Sequence, residues 1–442
     1  MNTSSDKSID ETFNIEENKT EENSNDINVS LNGGDNDCEK GEESAVDVPE
    51  KSVENEPNDA PENTPEKVIE SISENASDEI VSPEKSTEVV SEYIYENIQI
   101  ALQDITYDID EYISSKKTNY FIEQETIVKK FFEEKSITDL KFAFDYNLAE
   151  PKKLLLLDAG SVDFEHLWFI GDVHGDILAL VSAIKYIDSQ DDDATIIFTG
   201  DLIDRYAYSY EVLIFVLNLI ISRQNKILWI AGNHDIGLSY DETENKFVSN
   251  VIPSEFSEWL NGNPLHSELV KKICQLIARL PVAVLLPDGT LAVHGGVPGN
   301  MLQTTLAEQS DFQSDEIVYS FIANRLHPEK IRARGTELGR QNVENFSEIF
   351  NNIFNRKICR IVRGHDHYEY ERHRFYEQYE KIAVLTMVTL SAWSENELYF
   401  KNISGNIRTL VCVSKARENK LPLVKAIELP IELIEKVHGN DV

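Results

Sequence analysis

Five times along this chain a short, strongly apolar run stops beside a glycine and hands over to Asp, Asn or His. Trp168-Phe169-Ile170 leads into Gly171-Asp172-Val173-His174-Gly175-Asp176, and Ile196-Ile197-Phe198-Thr199 into Gly200-Asp201-Leu202-Ile203-Asp204-Arg205. Leu228-Trp229-Ile230-Ala231 leads into Gly232-Asn233-His234-Asp235. Further on, Leu291-Ala292-Val293 meets His294-Gly295-Gly296, and Ile361-Val362 meets Arg363-Gly364-His365-Asp366-His367. Runs of this length between turn residues predict buried strands. A single Asp-x-His would equally suit a strand-to-helix turn capped by Asp176. No packing requirement, however, places five of the ten histidines, several Asp and an Asn in the same context. Ligand-type side chains gathered on loops at strand ends are how rigid α-β scaffolds present their sites.

The rest of the ordered pattern fits such a scaffold. Strands are predicted at 154–157, 167–170, 194–199, 227–231, 291–294, 358–362 and 383–390. Residues 212–221 are the most apolar run, but at about half the length of a membrane span they predict a core helix. Upstream, Ile94, Ile98, Leu102, Ile105, Ile109 and Tyr112 recur at three- and four-residue spacing, one face of a helix, and 127–135 predicts another. There is no repeat in the solenoid or propeller range.

Charge separates the first part of the chain from the rest. Residues 1–90 hold 26 Asp/Glu against 6 Lys and no Arg, which is −20 of the chain's −38, with one aromatic (Phe13). Such a segment cannot bury enough apolar surface to offset its ordering entropy and is expected to be disordered. The organisation expected is an acidic tail at 1–91, a helical flank at 92–149 and a catalytic domain at 150–442. The acidity argues against nucleic acid as a partner. Cys38, Cys274, Cys359 and Cys412 form no CxxC pair, which fits reduced thiols. No signal peptide, lipidation motif or membrane span is recognisable, so a cytoplasmic location is expected. Delivery into another cell by a route without a cleaved signal would leave no trace.

Imidazole and oxygen ligands without thiolate favour Mn, Fe or Zn over a Cys-rich zinc site or an all-oxygen calcium site. A carboxylate bridging two cations about 3.5–4 Å apart suits hydrolysis of phosphate esters. Arg205, near Asp201, has the planar fork that holds phosphate oxygens in pairs.

The ordered set GDVHG, GDLIDR, GNHD, HGG and RGHDH resembles the calcineurin-like metallophosphoesterase superfamily, and within it the PPP phosphoprotein phosphatases most closely. Ser209 and Glu211 after Arg205 are similar to that family's DRGxxSxE. Leu280-Pro281-Val282-Ala283-Val284 leading to His294-Gly295-Gly296-Val297-Pro298 is similar to its LPxAA…HGGxxP. The likeness spans roughly 150–413. It implies an α+β fold, two packed mixed β-sheets flanked by helices, and two divalent metal ions, Mn first, with Fe or Zn as alternatives. Asp172 and His174 would bind the first metal, Asp201 would bridge, and Asn233, His294 and His365 would bind the second. A bimetal-bound hydroxide would attack phosphorus, and His234, oriented by Asp204, would protonate the leaving alkoxide. Arg205, Asn233 and a second arginine, Arg334 in preference to Arg332, would hold the phosphoryl oxygens.

Four departures bear on substrate. Tyr206 stands where the family has Gly, and Asp235 replaces the Glu of GNHE, as in relatives that cleave dinucleoside polyphosphates. His367 follows His365 by two, as in the wider superfamily, where it binds the first metal. Ser391-Ala392-Trp393-Ser394-Glu395-Asn396 replaces SAPNYC. The expected activity is hydrolysis of phosphate monoesters on a phosphoprotein substrate. A dinucleoside polyphosphate or nucleotide hydrolase and a non-catalytic binding scaffold are the alternatives. The aromatic and charged stretch 368–376 is read as a solvated hairpin flank.

Overall fold

A computed structural model describes residues 120–328, 330–331, 336–366, 376–391, 409–429 and 431–439. All of them belong to one compact unit, Asp78–Val442. The acidic tail, the helical pattern at 94–112, Arg332, Arg334, His367, residues 368–375 and residues 392–396 lie outside them.

Two mixed sheets carry the described chain. One has the order β1 (Leu154–Leu156), β7 (Ala283–Leu285), β8 (Thr290–Val293), β11 (Arg360–Arg363), β13 (Ile382–Thr386), β12 (Tyr376–Tyr379). The other has the order β15 (Lys420–Leu429), β14 (Thr409–Arg417), β2 (Leu167–Ile170), β3 (Thr195–Phe198), β4 (Ile227–Trp229). This is the α+β arrangement that the motif set implies. Two small ladders complete it: β5 (Leu238–Asp241) with β6 (Lys246–Ser249), and β9 (Arg325–Leu326) with β10 (Glu337–Leu338).

The strands that lead into the motifs run side by side. β2, β3 and β4 are parallel, with Ile170 opposite Phe198 and Phe198 opposite Trp229, so their ends lie level. In the other sheet β8 and β11 are parallel, with Ala292 opposite Val362. The two groups of strand ends meet where Asp172 bridges Val388, and the Thr389 N–H donates to the Asp172 carbonyl at 2.8 Å. Every residue of β2 is buried, as expected of a parallel strand covered on both faces. Ile177–Gln190 (α2) and Ser209–Ser222 (α3) have long buried runs, Ile177–Ile184 on one and Val212–Leu217 on the other. Each fully buried Leu, Ile or Phe contributes roughly 1.5–3 kcal/mol. Tyr120–Glu134 (α1) packs on α3, where the Tyr210 hydroxyl donates to Glu125 at 2.7 Å.

The structure corrects several boundaries. Beyond β3 and β11 the chain turns into left-handed backbone, at Gly200–Asp201 and at His365, and the strands stop short of these ligands. The 194–199 run contracts to β3, 291–294 shifts back by one residue to β8, and 358–362 shifts to β11. The 383–390 run ends at Thr386, after which the chain crosses to Asp172. The 127–135 helix begins seven residues earlier, at Tyr120. The long β14–β15 hairpin was not predicted, since its alternation is broken by charges such as Lys415, Arg417, Lys420 and Lys425. Among the described residues no helix is long and apolar enough to cross a membrane, and Cys274, Cys359 and Cys412 are free thiols.

Candidate metal centre and active site

The loops after β2 and β3 are tied together by backbone hydrogen bonds. The N–H groups of Val173 and His174 both donate to the Asp201 carbonyl (3.0 and 2.9 Å), and Gly175 N–H donates to Leu202 (2.8 Å). His174, Asp201, Asp204, Arg205 and His365 have φ of 48, 51, 69, 67 and 70°. Left-handed backbone at a non-glycine residue costs on the order of 1 kcal/mol or more, so five such residues together mark a region where surroundings dictate conformation.

Asp235 supplies much of that constraint. Its buried carboxylate accepts N–H groups from Asp201, Gly232 and Leu202, each at 2.9 Å, and from Trp229 Nε1 at 3.1 Å. Burial and the nearby Asp201 charge push its carboxyl up to about 6. The sequence linked this Asp to substrate choice; in the structure it braces the loops that carry Asp201 and Asn233.

The ligand-type atoms converge. Asp201 Oδ1 accepts the His234 N–H (2.8 Å), while Oδ2 lies 3.1 Å from His294 Nε2 and 3.6 Å from His174 Nε2. Asn233 Oδ1 is 2.9 Å from the same His294 nitrogen. Asp172 Oδ2 accepts the His365 N–H (2.8 Å) and lies 4.0 Å from His174 Nε2, and Asp172 Oδ1 lies 3.6 Å from His294 Nδ1. Two groups, His174/Asp201/His234 and Asp201/His294/His365, each present atoms within 4.8 Å of one another, and Asp201 belongs to both.

The tautomers follow from the acceptors behind the rings. His174 Nδ1 faces the Ile203 carbonyl (2.9 Å) and His294 Nδ1 the Thr199 carbonyl (3.0 Å). A carbonyl only accepts, so each Nδ1 carries the hydrogen and each Nε2 points inward, the arrangement that orients metal-binding imidazoles. Burial would lower the His294 imidazole, but Asp201 and Asp172 outweigh it and bring it up to about 9. Burial would raise the Asp201 carboxyl, and His294, His234 and His174 hold it well below the usual range instead. Burial and repulsion from His294 push His365 well below its ordinary value. Its Nε2 is buried with no hydrogen-bond partner among the described residues. A Cβ at Gly364 would lie 1.8 Å from Asp172 Oδ1, and one at Gly232 2.1 Å from Asp201 Oδ1. Glycine is required there for the carboxylates to occupy these positions. Converging acceptors, an orphan imidazole nitrogen and a negative field suit a pair of divalent cations.

Beside this cluster, His234 Nδ1 is 2.7 Å from Asp204 Oδ2, and Asp204 Oδ1 accepts the Phe256 N–H (3.1 Å). Burial opposes protonation of His234, but the Asp201 and Asp204 carboxylates raise it above its ordinary value. Arg205 is half-buried, and its Nε makes no hydrogen bond among the described residues. Tyr206 has no left-handed backbone, because Asp204 and Arg205 take up that geometry.

The structure thus brings together Asp172, His174, Asp201, Asp204, Asn233, His234, His294 and His365, with Arg205 next to Asp204 in the same loop. The sequence did not reveal that Asp176, besides capping α2, accepts Ser391 N–H (2.6 Å) and lies 3.1 Å from His438. No motif signal accompanies His438.

The family model described as calcineurin-like phosphoesterase matches residues 166–369. The serine/threonine-protein phosphatase 6 catalytic subunit of Caenorhabditis elegans is 28% identical over 127 residues, 29% of this chain and 35% of that protein. Serine/threonine-protein phosphatase PP1-1 of Saccharomyces cerevisiae is 29% identical over 158 residues, 34% of this chain and 45% of that one. The chain thus spans less than half the length of these curated relatives. A solved Saccharomyces cerevisiae protein serine/threonine phosphatase with similarity to human phosphatase PP5 aligns over 73% of this chain and 96% of its own, at 18% identity and TM-score 0.45. The matched segment contains every strand-end motif described above, and over it the chain is similar to the calcineurin-like phosphoesterases and to the serine/threonine phosphatases just named.

Proposed function

We propose that this chain is a metal-dependent phosphoprotein phosphatase that hydrolyses phosphate monoesters on protein side chains. The observation that carries the reading is the convergence of His174, His294 and His365 on Asp201, which belongs to both ligand groups, with His234, a member of one of them, paired to Asp204. The relatives named as serine/threonine phosphatases support the substrate class.

Asp172, His174 and Asp201 would hold one divalent cation, and Asp201, Asn233, His294 and His365 the other. Such a pair activates water at neutral pH and neutralises phosphoryl charge. Arg205 and the Asn233 amide would bind phosphoryl oxygens. Asp204 engages Nδ1 of His234, so Nε2 is the nitrogen left to deliver a proton to the leaving alkoxide. Arg334, or Arg332, as the second phosphate clamp and His367 as a further ligand of the first metal remain part of the proposal.

Asp235 no longer favours a dinucleoside polyphosphate hydrolase, because its carboxylate is fully buried and occupied by four N–H groups. The test is phosphopeptide turnover by the Mn-loaded chain and by Asp201→Asn and His294→Asn. Loss of activity in both variants is expected, and full activity in either contradicts the assignment.

A further inference from the structure

We propose that the helix Ile431–His438 (α4 among the helices labelled) straps the phosphate-binding loop, with His438 and Tyr206 as positioning residues for Arg205. This rests on the phosphatase reading above.

The loop that presents Arg205 is an improbable conformation, two consecutive non-glycine residues with φ of 69 and 67°. Such geometry persists only where neighbours over-determine it. Asp204 is fixed on three sides: its N–H donates to Ser209 Oγ (3.0 Å), and its carboxylate takes Phe256 N–H and His234 Nδ1. Arg205 is held less firmly, its N–H lying 3.4 Å from Glu255 Oε2, near the limit of a hydrogen bond. The next fixed point is Tyr206, whose N–H is shared between the carbonyls of Asp204 (2.9 Å) and His174 (3.0 Å).

Tyr206 is where α4 meets the loop. Its ring lies edge-on to the His438 imidazole, with centroids 5.4 Å apart at 61°. Tyr208 lies 6.3 Å from the same imidazole, and its hydroxyl donates to the Val437 carbonyl at 3.0 Å. On its other side, His438 Nε2 is 3.1 Å from Asp176 Oδ1 and 3.2 Å from Ser391 Oγ. Asp176 caps the helix that follows His174, and Ser391 begins the segment that departs from SAPNYC. One buried imidazole thus joins the loop after β2, the loop after β3 and the start of the 391 segment. The helix is seated by Leu433, Ile434 and Val437, all buried and at helical spacing. Tyr206 follows Arg205 directly in the chain, so the contact that fixes Tyr206 bears on where Arg205 stands.

The test is calorimetric binding of inorganic phosphate to the Mn-loaded full chain, with thermal melting of the same samples. Arg205→Ala is expected to weaken phosphate binding at least about 10-fold, and Tyr206→Ala and His438→Ala about 5-fold each. In the Arg205→Ala background, His438→Ala should change affinity by less than about 2-fold, the mark of coupled residues. His438→Gln, which retains a donor toward Asp176, should recover most of the loss and covers the case in which the Ala variant fails to fold. An undiminished effect of His438→Ala without Arg205, or a lowered melting temperature with phosphate affinity intact, makes the helix a structural prop and overturns the strap. If Arg205→Ala alone leaves phosphate binding unchanged, the failure lies instead with Arg205 as the clamp.

Discussion

Asp204→Asn separates positioning from folding because the two carboxylate oxygens have different jobs. Oδ1 accepts the Phe256 N–H, which an amide oxygen can still do, so the fold should survive. Oδ2 faces His234 Nδ1 at 2.7 Å in a buried setting, and an amide NH2 there can only donate. A hydrogen bond involving a charged group is worth about 1.5–3 kcal/mol, which at 1.36 kcal/mol per decade is a factor of about 10–150. That factor should fall on the step in which His234 donates its proton. The assay compares kcat/KM for an alkyl phosphate with that for a nitrophenyl phosphate, whose leaving group departs without a proton. The variant should lose about 10–150-fold on the first and far less on the second, with metal content unchanged. Equal losses on both esters would refute the general-acid role and leave Asp204 a purely structural residue.

Three further outcomes follow from the geometry. Asp235→Ala strands four buried N–H donors at roughly 1–3 kcal/mol each when not offset, so urea denaturation should show a loss of more than about 4 kcal/mol; Asp235→Asn, which keeps an acceptor, should lose far less, and equal effects would contradict the bracing role. His166 is raised by its hydrogen bond to Asp191, and Asp191 is lowered, burial opposing and Trp168 and His166 prevailing. A raised His contributes stability present below its unfolded value of 6.5 and lost as pH rises through its folded one, whereas a lowered Asp contributes above 3.8 and loses it on acidification. The melting-temperature gap between wild type and His166→Gln should therefore be widest between those values and close above neutrality; a gap that persists at pH 9 refutes the pairing. Chelation should abolish phosphatase activity and lower the melting temperature, and titrated Mn should restore both, because a ligand of the folded state alone stabilises it by mass action; a melting temperature indifferent to Mn would contradict metal binding by the folded chain.

The sequence disclosed the site more fully than the fold. Asp172, His174, Asp201, Asn233, His294 and His365 were legible because each stands next to a glycine, and at Gly232 and Gly364 that glycine is needed because a Cβ would collide with a ligand carboxylate. The strands before them were legible because parallel strands buried on both faces are continuously apolar. The β14–β15 hairpin escaped because its charged residues interrupt the alternation. Asp235 was misassigned for another reason. Its residue type suggested chemistry, but the direction in which it points is set by four N–H groups, two of them from Asp201 and Leu202 in the loop after β3, a tertiary fact no local window contains. His438 escaped on the same ground, since its partners Asp176, Tyr206 and Ser391 are remote in sequence.

The central claim is that two cations share Asp201, and metal equivalents per chain test it most directly. Elemental analysis of the Mn-loaded, exhaustively dialysed protein should give two Mn per chain, and fewer than two in Asp201→Asn. No retained metal in the wild type, or two equivalents retained by the variant, would contradict the account.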